Sequence, residues 1–156
     1  MSGNRRPSRS SSARLARAES RLRESEDRFA KLFESSPAKT AIGTMDGRLV
    51  DVNRAYADFF GFRREEMVGR SIAELGLIAE DELRRLLAFG SGPGVAMREV
   101  EVAMRARDGR ALEVLMSADI IRLDGVDHRV ATLVDVTERR RAERERKALD
   151  ARLAAV

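Results

Sequence analysis

The chain has 156 residues, with 30 Lys+Arg against 26 Asp+Glu, a formal net charge of +4, one His, and neither Cys nor Trp. That length suits one ordinary domain with tails. The missing Cys excludes disulfides, thiolate metal ligands, a thiol nucleophile and cysteinyl adducts, and one His excludes a multi-histidine metal site. No apolar run nears the ~20 residues that a membrane-spanning helix needs. The Arg/Ser-rich start lacks the apolar stretch of a secretory signal, so a cytoplasmic protein is expected.

Residues 1–12 are polar without apolar periodicity and read as a disordered basic tail. Residues 13–36 read as an N-terminal amphipathic, coiled-coil-like helix. Leu15, Ala18, Leu22, Ser25, Phe29, Leu32 and Ser36 recur there at alternating spacings of 3 and 4. Pro37 stops it, because the residue before a proline is pushed out of the α region. Two readings stand: the helix packs on its own domain, or it pairs with a second chain through Leu15, Leu22, Phe29 and Leu32.

Residues 38–52 read as a hairpin about Asp46-Gly47. Asn53 is placed to cap a helix over Arg54–Phe60, and Gly61 to end it. A short helix is expected from Arg63 to Gly69, and a further helical turn from a Ser71 cap through Leu75. A longer helix over 79–89 carries Leu83, Leu86 and Leu87 on one side. Gly90–Gly94 reads as a loop.

Three strands follow, over 98–106, 111–121 and 128–136, the first two alternating, joined at Asp108-Gly109 and Asp124-Gly125. The last is apolar on both faces, with Val130, Ala131, Leu133, Val134 and Val136. That predicts a central strand covered on its outer side, with the N-terminal helix as the obvious cover. Residues 137–156 return to helical composition, with Thr137 as a candidate N-cap. Their weak seam is Ala142, Arg146, Leu149, Leu153 and Val156.

The positive charge sits at the ends. Residues 1–25 carry seven basic and two acidic side chains, residues 137–156 seven and four, and residues 26–136 carry 16 and 20. An acidic middle argues against nucleic-acid binding.

The order and spacing of three stretches resemble the PAS sensor domain family. Asp27-Arg-Phe-Ala-Lys-Leu-Phe-Glu-Ser-Ser-Pro is similar to its leading helix. The run from Asp46-Gly-Arg-Leu-Val-Asp-Val-Asn to Met67-Val-Gly-Arg-Ser matches its hairpin and short helices. Arg107-Asp-Gly-Arg and Asp135-Val-Thr-Glu-Arg-Arg match its closing meander and exit motif, with Val136 where Ile is usual. The resemblance implies an α+β fold, with a PAS core over 37–136 and an exit helix over 137–156. The sheet would be five-stranded and antiparallel, with short helices on one face and a small interior pocket. Asp135 and Thr137 would transmit signals at the junction between last strand and exit helix.

The resemblance also implies a bacterial signal-transduction module, here a stand-alone regulator acting through homodimerisation and protein partners such as the histidine kinases of two-component systems. Two alternatives stand beside it: the N-terminal sensor part of a histidine kinase or cyclase, and a receptor for a small apolar metabolite. Ile42, Tyr56, Phe59, Phe60, Leu75, Leu86, Val102, Met104, Val114, Met116 and Leu133 either line a pocket or simply fill the core. No cofactor is expected. The helix over 79–89 has no His to ligate haem, His128 falls at a strand start, and no Cys can bond a flavin. A dissociable small ligand is left open. The chain has no phosphate-binding loop or other enzyme signature, so no catalytic residue, metal, membrane or nucleic-acid partner is expected.

Overall fold

The computed structural model describes residues 8–89 and 96–156. Residues 1–7 of the expected tail and the loop Gly90–Gly94 lie outside them. α1 (Arg9–Ser35) belongs to one compact unit and residues 36–156 form another. The second holds β1 (Lys39–Thr44), β2 (Leu49–Val52), α2 (Arg54–Phe60), α3 (Arg64–Met67), α4 (Glu80–Phe89), β3 (Met97–Arg105), β4 (Ala111–Leu123), β5 (Val126–Asp135) and α5 (Thr137–Ala154). Among the described residues no helix is long and apolar enough to cross a membrane.

α1 starts four residues earlier than its apolar seam predicts, so residues 9–12 are helical rather than tail. The Ser8 carbonyl accepts from the Ser11 and Ser12 amides at 3.0 and 3.1 Å, and its hydroxyl accepts from Ser11 at 3.3 Å. A serine at the cap satisfies amides that an apolar pattern cannot reveal. The helix ends before Pro37, and it has no buried residue.

The sheet is antiparallel in the order β2-β1-β5-β4-β3. β5 is central, as its composition predicts. Val134 in β5 is 60 % exposed. Asp124 (φ 50°) and Gly125 (φ 77°) are both left-handed, and Leu123 pairs directly with Val126. That is a two-residue type I′ turn, whose twist matches the strands it joins. It lets β4 run to Leu123 and β5 start at Val126, two residues beyond the expected ends. Val136 falls just outside β5.

One face of the sheet buries Val100, Val102 and Met104 of β3 and Leu112, Val114, Met116 and Ala118 of β4. Against it pack Tyr56 and Phe60 of α2, Met67 of α3, and Leu83 and Leu86 of α4. Each large apolar side chain buried this way contributes about 1.5–3 kcal/mol before entropy is counted. Gly61 ends α2 at φ 84°, a conformation that costs glycine little. The turn expected after Ser71 forms and is not continued into a helix: the Leu75 amide donates to the Ser71 carbonyl at 3.1 Å, and residues 72–76 stay hydrogen-bonded turns. The backbone of Ser71 bridges to Arg48, while its hydroxyl accepts from the Ala73 amide at 3.1 Å.

Candidate functional site

Asn53 does more than cap α2. It is the one buried polar side chain among the described residues. Its Oδ1 accepts from the amides of Tyr56 at 3.0 Å and Thr40 at 3.1 Å. Its Nδ2 donates to the carbonyls of Ala38 at 2.7 Å and Ser36 at 3.4 Å. An asparagine supplies two donors and an acceptor with two lone pairs, so this side chain is fully used. It ties residues 36–40, where the chain enters the sheet, to the first turn of α2.

A second polar knot joins β5 to α5. The Thr137 hydroxyl donates to Asp135 Oδ1 at 2.5 Å and accepts from the Glu113 amide at 3.0 Å. The Thr137 amide donates to the same Asp135 oxygen at 3.0 Å, and the Val136 amide donates to the Glu113 carbonyl at 2.9 Å. Thr137 is therefore the first residue of α5 and not its cap. Val136 holds the cap position without a side-chain bond. The carboxylate of Asp135 takes the orphan amide instead, where the helix dipole favours negative charge. The sequence places Asp135 and Thr137 side by side; Glu113, two strands' worth of chain away, is the partner it does not reveal.

α5 then runs along the exposed sides of β3 and β4. Arg140 pairs with Glu101, and Arg144 Nη1 lies 2.6 Å from Glu113 Oε1. The hydrogen bond that Arg144 donates to the Glu113 carboxylate raises the pKa of Arg144 above the usual guanidinium value. Between helix and sheet lies a groove of about 350 Å³, lined by Glu101, Val102, Ala103, Glu113, Val114, Val136, Arg140, Glu143, Arg144 and Lys147. Glu113 Oε2 is buried there without a hydrogen bond.

A third feature is a cavity of about 60 Å³ on the core face of the sheet. Its floor follows from register. Ala41 pairs with Ala131 and Ala131 with Ala118, so three short side chains stand in one row across β1, β5 and β4. Small residues side by side leave space above them that larger neighbours roof over. Tyr56, Ile72, Leu83, Leu86, Leu87, Met97 and Met116 complete most of the apolar wall, and Thr44 and Arg129 bring polar atoms. Burial raises the pKa of the Tyr56 hydroxyl, which stays neutral, and lowers that of Arg129. Arg129 Nη1 donates to the Met45 carbonyl at 3.4 Å.

Of the residues expected to line a pocket, Tyr56, Leu86 and Met116 do so. Phe60, Met104 and Leu133 fill the core elsewhere, Val102 and Val114 belong to the core and also border the groove beside α5, and Phe59 and Leu75 pack half-buried against the core. Ile42 is a correction: strand alternation puts it on the face opposite its neighbours Ala41 and Gly43, and it is buried outside the core cluster. Arg129 and the alanine row had no signal in the linear sequence, because they meet only through cross-strand register. The cavity wall has no His or Cys, so the ligand chemistry of haem and of cysteinyl flavin has no residue there. His128 Nδ1 instead lies 2.8 Å from the Val126 carbonyl. Among the described residues no group of three His, Asp or Glu side chains could hold a metal ion.

The sequence profile of a family described as PAS domain matches residues 37–138. The chain belongs to the PAS domain family. Its sheet and helices superpose on the PAS domain of an HTR-like protein from Haloarcula marismortui, with a TM-score of 0.65 and 28 % identity over 77 % of this chain and 98 % of that one. They also match a domain of a sensory box sensor histidine kinase/response regulator from Geobacter sulfurreducens, at TM-score 0.57 and 24 % identity over 71 % and 95 % of the two chains. A PAS domain from a two-component sensor histidine kinase gives TM-score 0.60 and 15 % identity over 72 % and 97 %. No curated protein matches the chain. Membership of the PAS family makes residues 37–138 a sensory signalling module.

Proposed function

We propose that this PAS module works as a homodimer and signals by binding partner proteins, with sensor histidine kinases the favoured class. The observation that carries the reading is the knot of Asp135, Thr137 and Glu113. It couples the central strand of the sheet to the first turn of α5, so a change in the sheet or its cavity alters how α5 leaves the domain. The module does no chemistry of its own. The acidic middle of the chain favours protein over nucleic acid as the contact.

Leu22, 60 % exposed at the middle of α1, is the place to test the dimer. Leu22→Arg puts a charge in the seam and is expected to shift the chain from dimer to monomer mass by light scattering. An unchanged mass would defeat pairing through α1. Capture of a kinase by the chain, lost when residues 137–156 are removed, would support the output through α5. Equal capture by both forms would not.

A second reading, reception of a small apolar metabolite, is favoured by the cavity that Tyr56 and Met116 help to line. In its present form that space holds only a few water molecules. A bound mass by native mass spectrometry, with a raised Tm, would favour it.

A further inference from the structure

α1 is one continuous helix from Arg9 to Ser35, and its seam residues Leu15, Leu22, Phe29 and Leu32 are 60–66 % exposed. In heptad terms Leu15, Leu22 and Phe29 are at a, and Ala18, Ser25 and Leu32 at d. The flanks of that seam are sorted by sign. Arg14, Arg21 and Arg28 occupy all three g positions, and Glu19 and Glu26 occupy the first two e positions. Each Glu follows an Arg by five residues. Residues three or four apart meet on one helix, whereas residues five apart do not. Five is the spacing from g of one heptad to e of the next on a neighbouring parallel helix.

We infer that α1 pairs with α1 of a second copy of this chain, parallel and in register, with Arg14 and Arg21 of each copy facing Glu19 and Glu26 of the other. This rests on the homodimer reading and adds direction and register to it. Turning one helix round would set g against g and e against e, that is, Arg against Arg and Glu against Glu. The charges thus favour one arrangement and oppose the other. Among the described residues, none of these five side chains forms an ion pair within its own chain. In the third heptad the e position is Phe33, stacked on Phe29 with ring centroids 5.9 Å apart, so the seam turns from ionic to aromatic towards the C-terminal end of α1. The polar d residue Ser25 lowers seam stability and, facing its own copy, favours register.

The absence of cysteine makes the test clean. Ala18→Cys and Ser25→Cys are made singly in the full chain, oxidised mildly and run on a non-reducing gel. The two sites lie about 10 Å apart along the helix. In a parallel, in-register pair each meets its own copy, so both variants are expected to give covalent dimers. A dimer from only one would mean an antiparallel pair and would overturn the inference. No cross-link from either, in a chain that light scattering shows to be dimeric, would also overturn it while leaving the homodimer intact. A monomeric wild-type chain would overturn both.

A charge swap gives an independent arm. Glu19→Arg with Glu26→Arg should weaken dimerisation at least about tenfold, and adding Arg14→Glu with Arg21→Glu to the same chain should restore it. No weakening from the first pair would overturn the inference.

Discussion

α1 and α5 are both long, Arg-rich helices without a buried residue, and they treat their charges in opposite ways. In α5, Arg139 and Arg140 each reach Glu143 at 3.6 Å, and Arg141 reaches Glu138 at 3.5 Å. Arg140 and Arg144 also reach Glu101 and Glu113 in the sheet. α1 forms no ion pair among the described residues, although Glu24 and Arg28 stand four apart in it. One helix has its charges engaged by its own chain, and the other keeps them available. Composition does not distinguish the two; spacing and neighbouring strands do.

The comparison can be tested at three further places, in falling order of expected effect. Asn53 lies where the chain enters the sheet after α1, and none of its partners is a charge. Asn53→Ala takes the acceptor from the amides of Thr40 and Tyr56, while the Ala38 carbonyl keeps the Thr40 hydroxyl. It should lower the unfolding free energy by about 3 kcal/mol. Urea denaturation measures this, and a loss well under 1 kcal/mol would show that water replaces the side chain. The dimer mass of the folded variant should not change, because the α1 seam is untouched.

Asp135→Ala should act on α5 alone. Losing the acceptor of the Thr137 amide and hydroxyl costs about 1 kcal/mol locally, so amides in the first turn of α5 should exchange about fivefold faster while the β4–β5 amides stay protected. Loss of protection throughout the sheet would show that the knot holds the fold and not the helix.

The smallest effect concerns α4, where Glu82 and Arg85 close an ion pair three residues apart at 2.5 Å. The hydrogen bond from Arg85 holds the Glu82 carboxyl below its ordinary value of 4.5. A carboxylate whose folded-state pKa is depressed contributes stability that is present above the unfolded value. That contribution is lost as pH falls through the folded one. Glu82→Gln should therefore make the urea midpoint fall less steeply below pH 4.5 than in the wild type. Parallel curves would show that an exposed pair of this spacing adds nothing, as surface pairs often do not.

What the sequence reveals and what it hides divide along the same physical line. Asp46-Gly47, Asp108-Gly109 and Asp124-Gly125 mark turns, and alternation in β3 and β4 marks their buried faces, because these are local signals of period two. Asn53 as a cap and Gly61 as a stop are equally local. The seam of α1 is legible for the same reason, at a different period. Local reading fails at the start of α1, where Ser8 begins the helix inside an apparent tail. Long-range pairing is hidden altogether. Glu113 meets Thr137, and Ala41, Ala131 and Ala118 meet in one row, only once strand register exists. The expected pocket lining therefore contained core residues such as Phe60 and Val114 and missed Arg129.

The two edges of the sheet bear on how the protein behaves at high concentration. β2 is only four residues long, and the Arg48–Ser71 bridge flanks it. On β3, register slips between Met97 and Val100, and Glu99 sits there at φ 48° with its amide bonded to the Ser117 hydroxyl. A bulge with Arg98 and Glu99 exposed beside it disrupts the straight ladder that a stray strand would need to dock and propagate. Strand-to-strand addition, the route to open-ended fibres, is thus blunted at both ends. Self-association is left to faces and helices, where two copies can close on each other and stop.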